Sequence, residues 1–267
     1  MTLPGGTITI AGKTVSRLGL GTMRFAGRDS WGDLRSERVG PMAVLLEAVR
    51  THSITHIDTA DAYGPHTVED LIHDTLSPYR FDRDVLIATK VGMIRPGPHM
   101  WMPHGHPAYL RAAVEGSLRR LGIEQLDLCY LHRNDPAVPF LDQVGALAEL
   151  QAEGKIAHIG LSKVRPDEID QAAAVIAVAA VQNKLNQELP DDLATVEHCR
   201  TLGIPYVAYS PLGAGTLARR GGATKALRWL LDLGPHVAPV PGTGSLGHLR
   251  ELVRYVEPTG RQGGLAT

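Results

Sequence analysis

Cysteine is scarce in this chain: there are two, Cys129 and Cys199, in 267 residues. Neither has a nearby Cys partner at metal-ligand spacing, so a disulfide framework and a thiolate-rich metal site are both excluded. Cys129 lies in an apolar run and reads as a core thiol, which fits a reducing cytoplasm. No charge of one sign dominates either. The 27 basic and 28 acidic residues leave a net charge of −1. Nothing in that balance calls for nucleic acid or an anionic membrane as partner. Long hydrophobic runs are missing too. The most apolar stretch, Ala172 to Val181, is short and Ala-rich, well under the roughly 18 residues a membrane-spanning helix needs. The opening MTLPGGTITIAGKTV has no extended apolar core of a signal peptide.

What the chain does have is a 43% hydrophobic content, enough to fill a substantial core. Its organisation is an alternation. Residues 7–15, around Ala11-Gly12-Lys13, read as a β-hairpin. Eight strand candidates follow: Leu18–Gly21, Thr55–Asp58, Val85–Lys90, Leu126–His132, Ala157–Ser162, Ala180–Asn183, Tyr206–Ser210 and Val237–Val240. Between and after them lie segments of helical period: Pro41–Thr51, Val68–Leu76, Pro107–Leu121, Leu141–Gln151, Pro166–Val178, Asp191–Thr201, Thr224–Leu233 and Leu246–Val256. Pro41, Pro107 and Pro166 stand where a first helical turn tolerates proline. Runs such as Val85-Leu86-Ile87-Ala88 suit parallel strands covered on both faces. Eight βα units without a break in composition predict one closed α/β barrel, a (β/α)8 TIM barrel over residues 1–257, with residues 258–267 as a flexible polar tail. A doubly wound sheet would carry a glycine fingerprint on its first βα turn. Here Gly19-Leu20-Gly21 is followed by Arg24, and the third glycine is absent.

In such a barrel the chemistry sits where strands end. The residues closing the strand candidates are Asp58, Lys90, His132, Ser162, Gln182/Asn183 and Ser210. An acid, an amine and an imidazole on three successive strands exceed the ordinary polar bias of loops. Tyr63 follows five residues after Asp58. Neighbouring strand ends lie about 5 Å apart, so these four side chains can meet at one mouth. Asp58 would pair with Lys90, although taken alone that pair is equally a structural ion pair at the rim. A nearby ammonium should ease the loss of the Tyr63 proton. His132 could bond a substrate carbonyl or the Tyr63 hydroxyl.

The run IDTADAYG, then ATKVG, then LCYLH resembles the aldo-keto reductase superfamily, and its sub-pattern is similar to bacterial pyridoxal reductase-type members. The resemblance spans about Leu18 to Glu251. It implies a catalytic tetrad of Asp58, Tyr63, Lys90 and His132, with Tyr63 as general acid when an aldehyde or ketone is reduced. It further implies NADPH as cofactor, with NADH possible. His158-Ile159-Gly160-Leu161-Ser162 resembles the family's G-x-S-N segment, and Val181-Gln182-Asn183 its V-Q-N segment. Tyr209-Ser210-Pro211-Leu212-Gly213 resembles the segment that stacks on nicotinamide and contacts pyrophosphate. Val240-Pro241-Gly242-Thr243-Gly244-Ser245 resembles the loop holding the adenosine phosphate. The cofactor contacts so implied are Gly21, Thr22, Met23, Asp58, Ser162, Lys163, Gln182, Tyr209, Ser210, Pro211, Leu212, Gly213, Gly215, Gly242, Thr243, Gly244, His248 and Glu251.

The chain departs from that pattern in places. Lys163 stands where Asn is usual and Leu185 where an aromatic is common. Gly242-Thr243 replaces Lys-Ser, His248 aligns with an Arg, and Leu252 replaces an Asn. Arg250 or His248 is the cation expected to meet a 2′-phosphate. The short C-terminal region implies an open substrate site. Met23, Trp31, Tyr63, Trp101 and His132 are expected to bound the substrate pocket. The cluster His99-x4-His104-x-His106 lies in a Pro/Gly-rich loop without a carboxylate, and no metal is expected. The partner is a small-molecule carbonyl compound, with no sign of the oligomeric state. Two other classes fit parts of the pattern: a nicotinamide-nucleotide-binding ancillary or sensor protein with little turnover, and a non-redox barrel lyase or hydrolase using Asp58, Lys90 and His132.

Overall fold

The computed structural model describes residues 3–27, 29–32, 38–79, 85–219 and 222–256. The expected tail at 258–267 lies outside the described residues. The chain opens with an antiparallel hairpin, β1 (Thr7–Ile10) and β2 (Lys13–Ser16). Eight parallel strands then follow: β3 (Leu20–Gly21), β4 (His56–Asp58), β5 (Leu86–Val91), β8 (Leu126–Leu131), β9 (Ile156–Ser162), β10 (Val178–Lys184), β11 (Tyr206–Tyr209) and β12 (Val237–Val240). Each pairs with its neighbour in sequence order. The seam closes where the Gly19 and Gly21 amides donate to the Pro239 and Pro241 carbonyls, at 3.0 Å each, and where Gly21 bridges Gly242. The result is a (β/α)8 barrel. Gly21 and Gly242 leave little room for a side chain at the seam. A methyl on Gly21 would meet the Val240 carbonyl at 3.1 Å, and one on Gly242 the Gly21 carbonyl at 3.0 Å.

The helices wrap the outside: α1 (Val39–Arg50), α2 (Thr67–Leu76), α3 (Pro107–Leu121), α4 (Phe140–Ala152), α5 (Pro166–Ala173), α6 (Leu193–Leu202), α7 (Gly222–Asp232) and α8 (Leu246–Val256). Pro107 and Pro166 open α3 and α5, and Pro41 lies in the first turn of α1, where a missing amide costs no helical hydrogen bond. The main core lies between helices and strands. A second core fills the barrel. In it Ile8, Ile10 and Val15 of the hairpin pack on Leu86, Ala88, Leu128 and Tyr130. The hairpin therefore plugs the N-terminal end, and each fully buried aliphatic there is worth about 1.5–3 kcal/mol. Lys13 at its turn ties the plug to the barrel floor through Asp127 at 2.8 Å and the Val85 carbonyl at 3.1 Å. With that end stoppered, the opposite mouth is where a ligand can enter.

Two sequence expectations need correction. The helix expected over Pro166–Val178 stops at Ala173, and Val178 already belongs to β10. Alanine reads as helical in isolation, but pairing of Val178 and Val181 with Ile159 and Leu161 overrides that propensity. The long loop after Lys90 also holds an antiparallel ribbon, β6 (Met93–Ile94) with β7 (Met102–Pro103). Strands of two residues carry no readable period.

Candidate active site

Strand ends place the ionisable groups. Register aligns Asp58 on β4 with Ala88, two residues before Lys90 on β5. The inward-facing Lys90 ammonium donates to Asp58 Oδ1 at 2.7 Å and to the Thr59 carbonyl at 2.7 Å. It also lies 3.5 Å from the Tyr63 hydroxyl. Lys90 is 1% exposed and Asp58 3%. A buried pair at that distance persists only when its other polar atoms are satisfied. Asp58 Oδ1 has a second donor in Gln182 Nε2, at 2.7 Å. Thr22 holds the Asp58 carbonyl with both its amide and its hydroxyl, at 2.9 Å each.

His132 follows β8 directly, its amide donating to the Val91 carbonyl. Its ring meets Tyr63 edge to face at 6.2 Å, and Trp101 closes the triangle at 6.3 Å from each. Burial, with the cations of Lys163, Lys90 and Arg133, holds His132 neutral, well below the usual imidazole range. The Lys90 ammonium stands beside the hydroxyl as expected, but it does not dominate in this geometry. Burial, with the carboxylates of Asp58 and Asp61, pushes the Tyr63 phenol well above its ordinary range. Tyr63 keeps its proton, and a phenolate would form only under chemical drive, beside Lys90.

One cavity of about 1050 Å³ runs from this triangle to the start of α8. Of the residues expected to bind cofactor, Gly21, Met23, Asp58, Ser162, Lys163, Gln182, Tyr209, Ser210, Pro211, Leu212, Gly215, Gly242, Thr243, Gly244, His248 and Glu251 line it. Thr22 and Gly213 do not. Thr22 stands behind the wall, fully buried against Asp58. Gly213 is set by packing, because a methyl there would strike Thr216 Oγ1 at 2.4 Å. Of the expected pocket residues, Met23, Tyr63, Trp101 and His132 face the cavity and Trp31 does not. Trp31 bridges Gly64 and lies under the Arg95 guanidinium, 5.4 Å from its centroid.

Arg95 itself escaped sequence reasoning, because nothing marks one arginine in a loop. It is 8% exposed and covers Trp101 at 3.6 Å. It donates to the carbonyls of Asp29, Ser30, Ala62 and Met100, so it pins the Trp101 loop beside Tyr63. Arg24, Arg133 and Lys184 also line the cavity unforeseen. Arg250, a candidate for the 2′-phosphate, turns away: it pairs bidentately with Glu47 of α1, at 2.7 and 2.8 Å. Among the described residues, no group of three or more His, Cys, Asp or Glu could hold a metal ion, and no helix is long and apolar enough to cross a membrane.

Architecture and site together are those of a barrel enzyme with its chemistry at the C-terminal ends of the strands. The chain belongs to the aldo/keto reductase family, a family of oxidoreductases, whose profile matches residues 17–225. It is 37% identical over 267 residues to the pyridoxine 4-dehydrogenase of Escherichia coli, covering 93% of this chain and 92% of that one. An uncharacterized oxidoreductase of Schizosaccharomyces pombe is also 37% identical, over 93% of this chain and 84% of its own length. Among solved structures, an aldo-keto reductase from Klebsiella pneumoniae in complex with NADPH superposes with a TM-score of 0.77 at 25% identity, over 97% of this chain and 91% of that one.

Proposed function

We propose that this chain reduces an aldehyde or ketone with NADPH, and that Tyr63 is the proton donor. The observation carrying this reading is the buried Asp58–Lys90–Tyr63 chain at the inner end of the cavity. The cavity's donor set fits a dinucleotide. Ser162 and the Gln182 amide suit a carboxamide, and Tyr209 offers a flat face for a ring. The turn from Ser210 to Gly215 offers backbone amides. At the far end Ser245 caps α8, its Oγ accepting from the His248 amide at 3.5 Å, and a helix start of this kind attracts phosphate. Arg24 and His248 line that end and suit a 2′-phosphate. When bound, the reduced nicotinamide supplies the reducing equivalent that turns C=O into CH–OH.

The protein's own part is proton handling and orientation. The substrate oxygen sits between the Tyr63 hydroxyl and the His132 ring. Neutral His132 can donate a hydrogen bond without losing its proton, and so fixes the oxygen's position. Tyr63 gives its proton to the oxygen as negative charge builds there. Lys90, 3.5 Å away, stabilises the resulting phenolate, and Asp58 keeps Lys90 oriented. Trp101 and Met93 shield the site from water. Tyr63→Phe is expected to lower aldehyde reduction by about 10²–10⁴-fold while leaving the dissociation constant for NADPH, read by fluorescence titration, within a factor of about three. Full turnover in that variant rejects the assignment.

A further inference from the structure

Two cations at the rim of the cavity, Arg133 and Lys163, have no carboxylate partner among the described residues. Strands β8 and β9 run side by side with Leu131 opposite Leu161. Continuing that register brings His132 beside Ser162 and Arg133 beside Lys163. Arg133 and Lys163 both line the cavity. Among the described residues neither shares a hydrogen bond or salt bridge with a carboxylate. The charges that bear on the Lys163 ammonium are those of Arg133 and Lys90, both of its own sign. Two carboxylates line the cavity. Asp58 is engaged by Lys90 and Gln182, and Glu251 lies on α8, beyond β12.

The position of Lys163 is built rather than loose. Its backbone is left-handed, with φ 58°, a conformation that non-glycine residues rarely adopt. The neighbouring segment enforces it. The Lys163 amide donates to the Gln182 carbonyl, and the Asn183 side chain clamps both the amide and the carbonyl of Val164, at 3.1 and 2.7 Å. The ammonium is carried 5.9 Å from the Tyr209 ring centroid, toward the reacting end. The phosphates of a bound dinucleotide are served by the segments after β11 and β12, while Arg133 and Lys163 follow β8 and β9, on the other side of β10. An anion at this pair therefore belongs to the other ligand.

We propose that Arg133 and Lys163 form a subsite for an anionic group, carboxylate or phosphate, on the carbonyl substrate. The subsite rests on the reductase reading above. It places the anion next to the His132 position, within reach of a compact molecule whose carbonyl lies at Tyr63.

The test compares three aldehydes of one skeleton with the full-length enzyme and NADPH: 4-carboxybenzaldehyde, 4-formylphenyl phosphate and the neutral methyl 4-formylbenzoate. A preference in kcat/KM of about tenfold for an anionic aldehyde over the ester is expected, the worth of one charge-assisted contact. The carboxylate and phosphate arms tell which anion it is. Arg133→Met and Lys163→Met should each bring the ratio toward one. Because it is a ratio, an effect of Lys163 on the cofactor cancels. Burial, Arg133 and Lys90 hold Lys163 at about 8. Arg133, Lys90, His132 and Tyr209 face it. The preference should therefore shrink as pH rises through 8 and persist in part through Arg133. If the ester is reduced as well as both anionic aldehydes, or the ratio survives in both variants, the subsite is wrong and the reductase stands. If folded wild-type protein reduces none of the three, the reductase reading fails and the subsite with it.

Discussion

At the inner end of the cavity, Asp58, Lys90 and His132 are each under 5% exposed, and Lys90 and Asp58 are held by hydrogen bonds from several strands and loops. At the outer end His248 and Gly244 are exposed, and Thr243 bonds mainly the turn to which it belongs, its hydroxyl accepting from the Ser245 amide at 3.0 Å. The inner end is finished before any ligand arrives. The outer end offers backbone, a helix start and a few cations on mobile stems. Of the departures from the family pattern, Gly242, His248 and Leu252 fall at the outer end and Lys163 toward the reacting end, while Asp58, Tyr63, Lys90 and His132 match it. A site that stabilises developing charge must be preorganised to a fraction of an ångström. A site that only holds phosphate can exchange one donor for another.

The contrast breaks most visibly at Lys90. Lys90→Met leaves Asp58 buried without its cation, so activity should fall at least 10³-fold and stability by about 3–5 kcal/mol. Chemical denaturation and steady-state NADPH oxidation read the two effects. Survival of either stability or activity would show that the pair is less buried in solution.

Acid should attack the same end. Burial lowers His56, beneath Asp58, to about 4, while the unfolded imidazole titrates near 6.5. A histidine whose folded value is depressed binds its proton only on unfolding, so stability is lost as pH falls from 6.5 toward 4. His56 alone contributes a loss of about 2 kcal/mol between pH 7 and pH 5, which the buried Asp61 carboxyl, raised well above its ordinary range by burial and Glu69, partly offsets. His132, shifted the same way as His56, adds to the loss. Urea midpoints at both pH values check this, and His56→Leu should reduce the difference. The same pH difference in His56→Leu as in the wild-type protein contradicts it.

The outer end should respond least. His248→Arg restores the family's usual cation at an exposed position, where one ion pair is worth about 0.2–1 kcal/mol. The KM for NADPH should fall about threefold, with little change for NADH and none in kcat. A kcat change as large as that of Tyr63→Phe would mean that the two ends are coupled.

Much of this was legible in the chain. All eight barrel strands could be read because covered parallel strands leave short apolar runs ending in polar residues. Asp58, Lys90 and His132 could be read because they stand at the ends of successive strands, whereas Tyr63, in the loop after β4, was expected only from its spacing to Asp58 and the family resemblance. The substrate wall was only partly legible. Trp31 and Trp101 look alike in sequence, and the stack on Arg95 decides that Trp101 lines the cavity while Trp31 lies on the far side of the guanidinium. Arg250 and His248 looked equivalent for phosphate until Glu47, 203 residues away in the chain, claimed Arg250.

The sequence by itself determined the barrel, the order of its units and which groups stand at the strand ends. Those follow from period, local propensity and the alternation of apolar and polar residues, all short-range properties. The tertiary structure decided the protonation of those groups and their partners. Tyr63 keeps its proton because burial and the carboxylates of Asp58 and Asp61 disfavour phenolate. Lys163 feels the charge of Arg133 because β8 and β9 run side by side in register. Desolvation and charge–charge energies depend on distances in space that no spacing along the chain encodes.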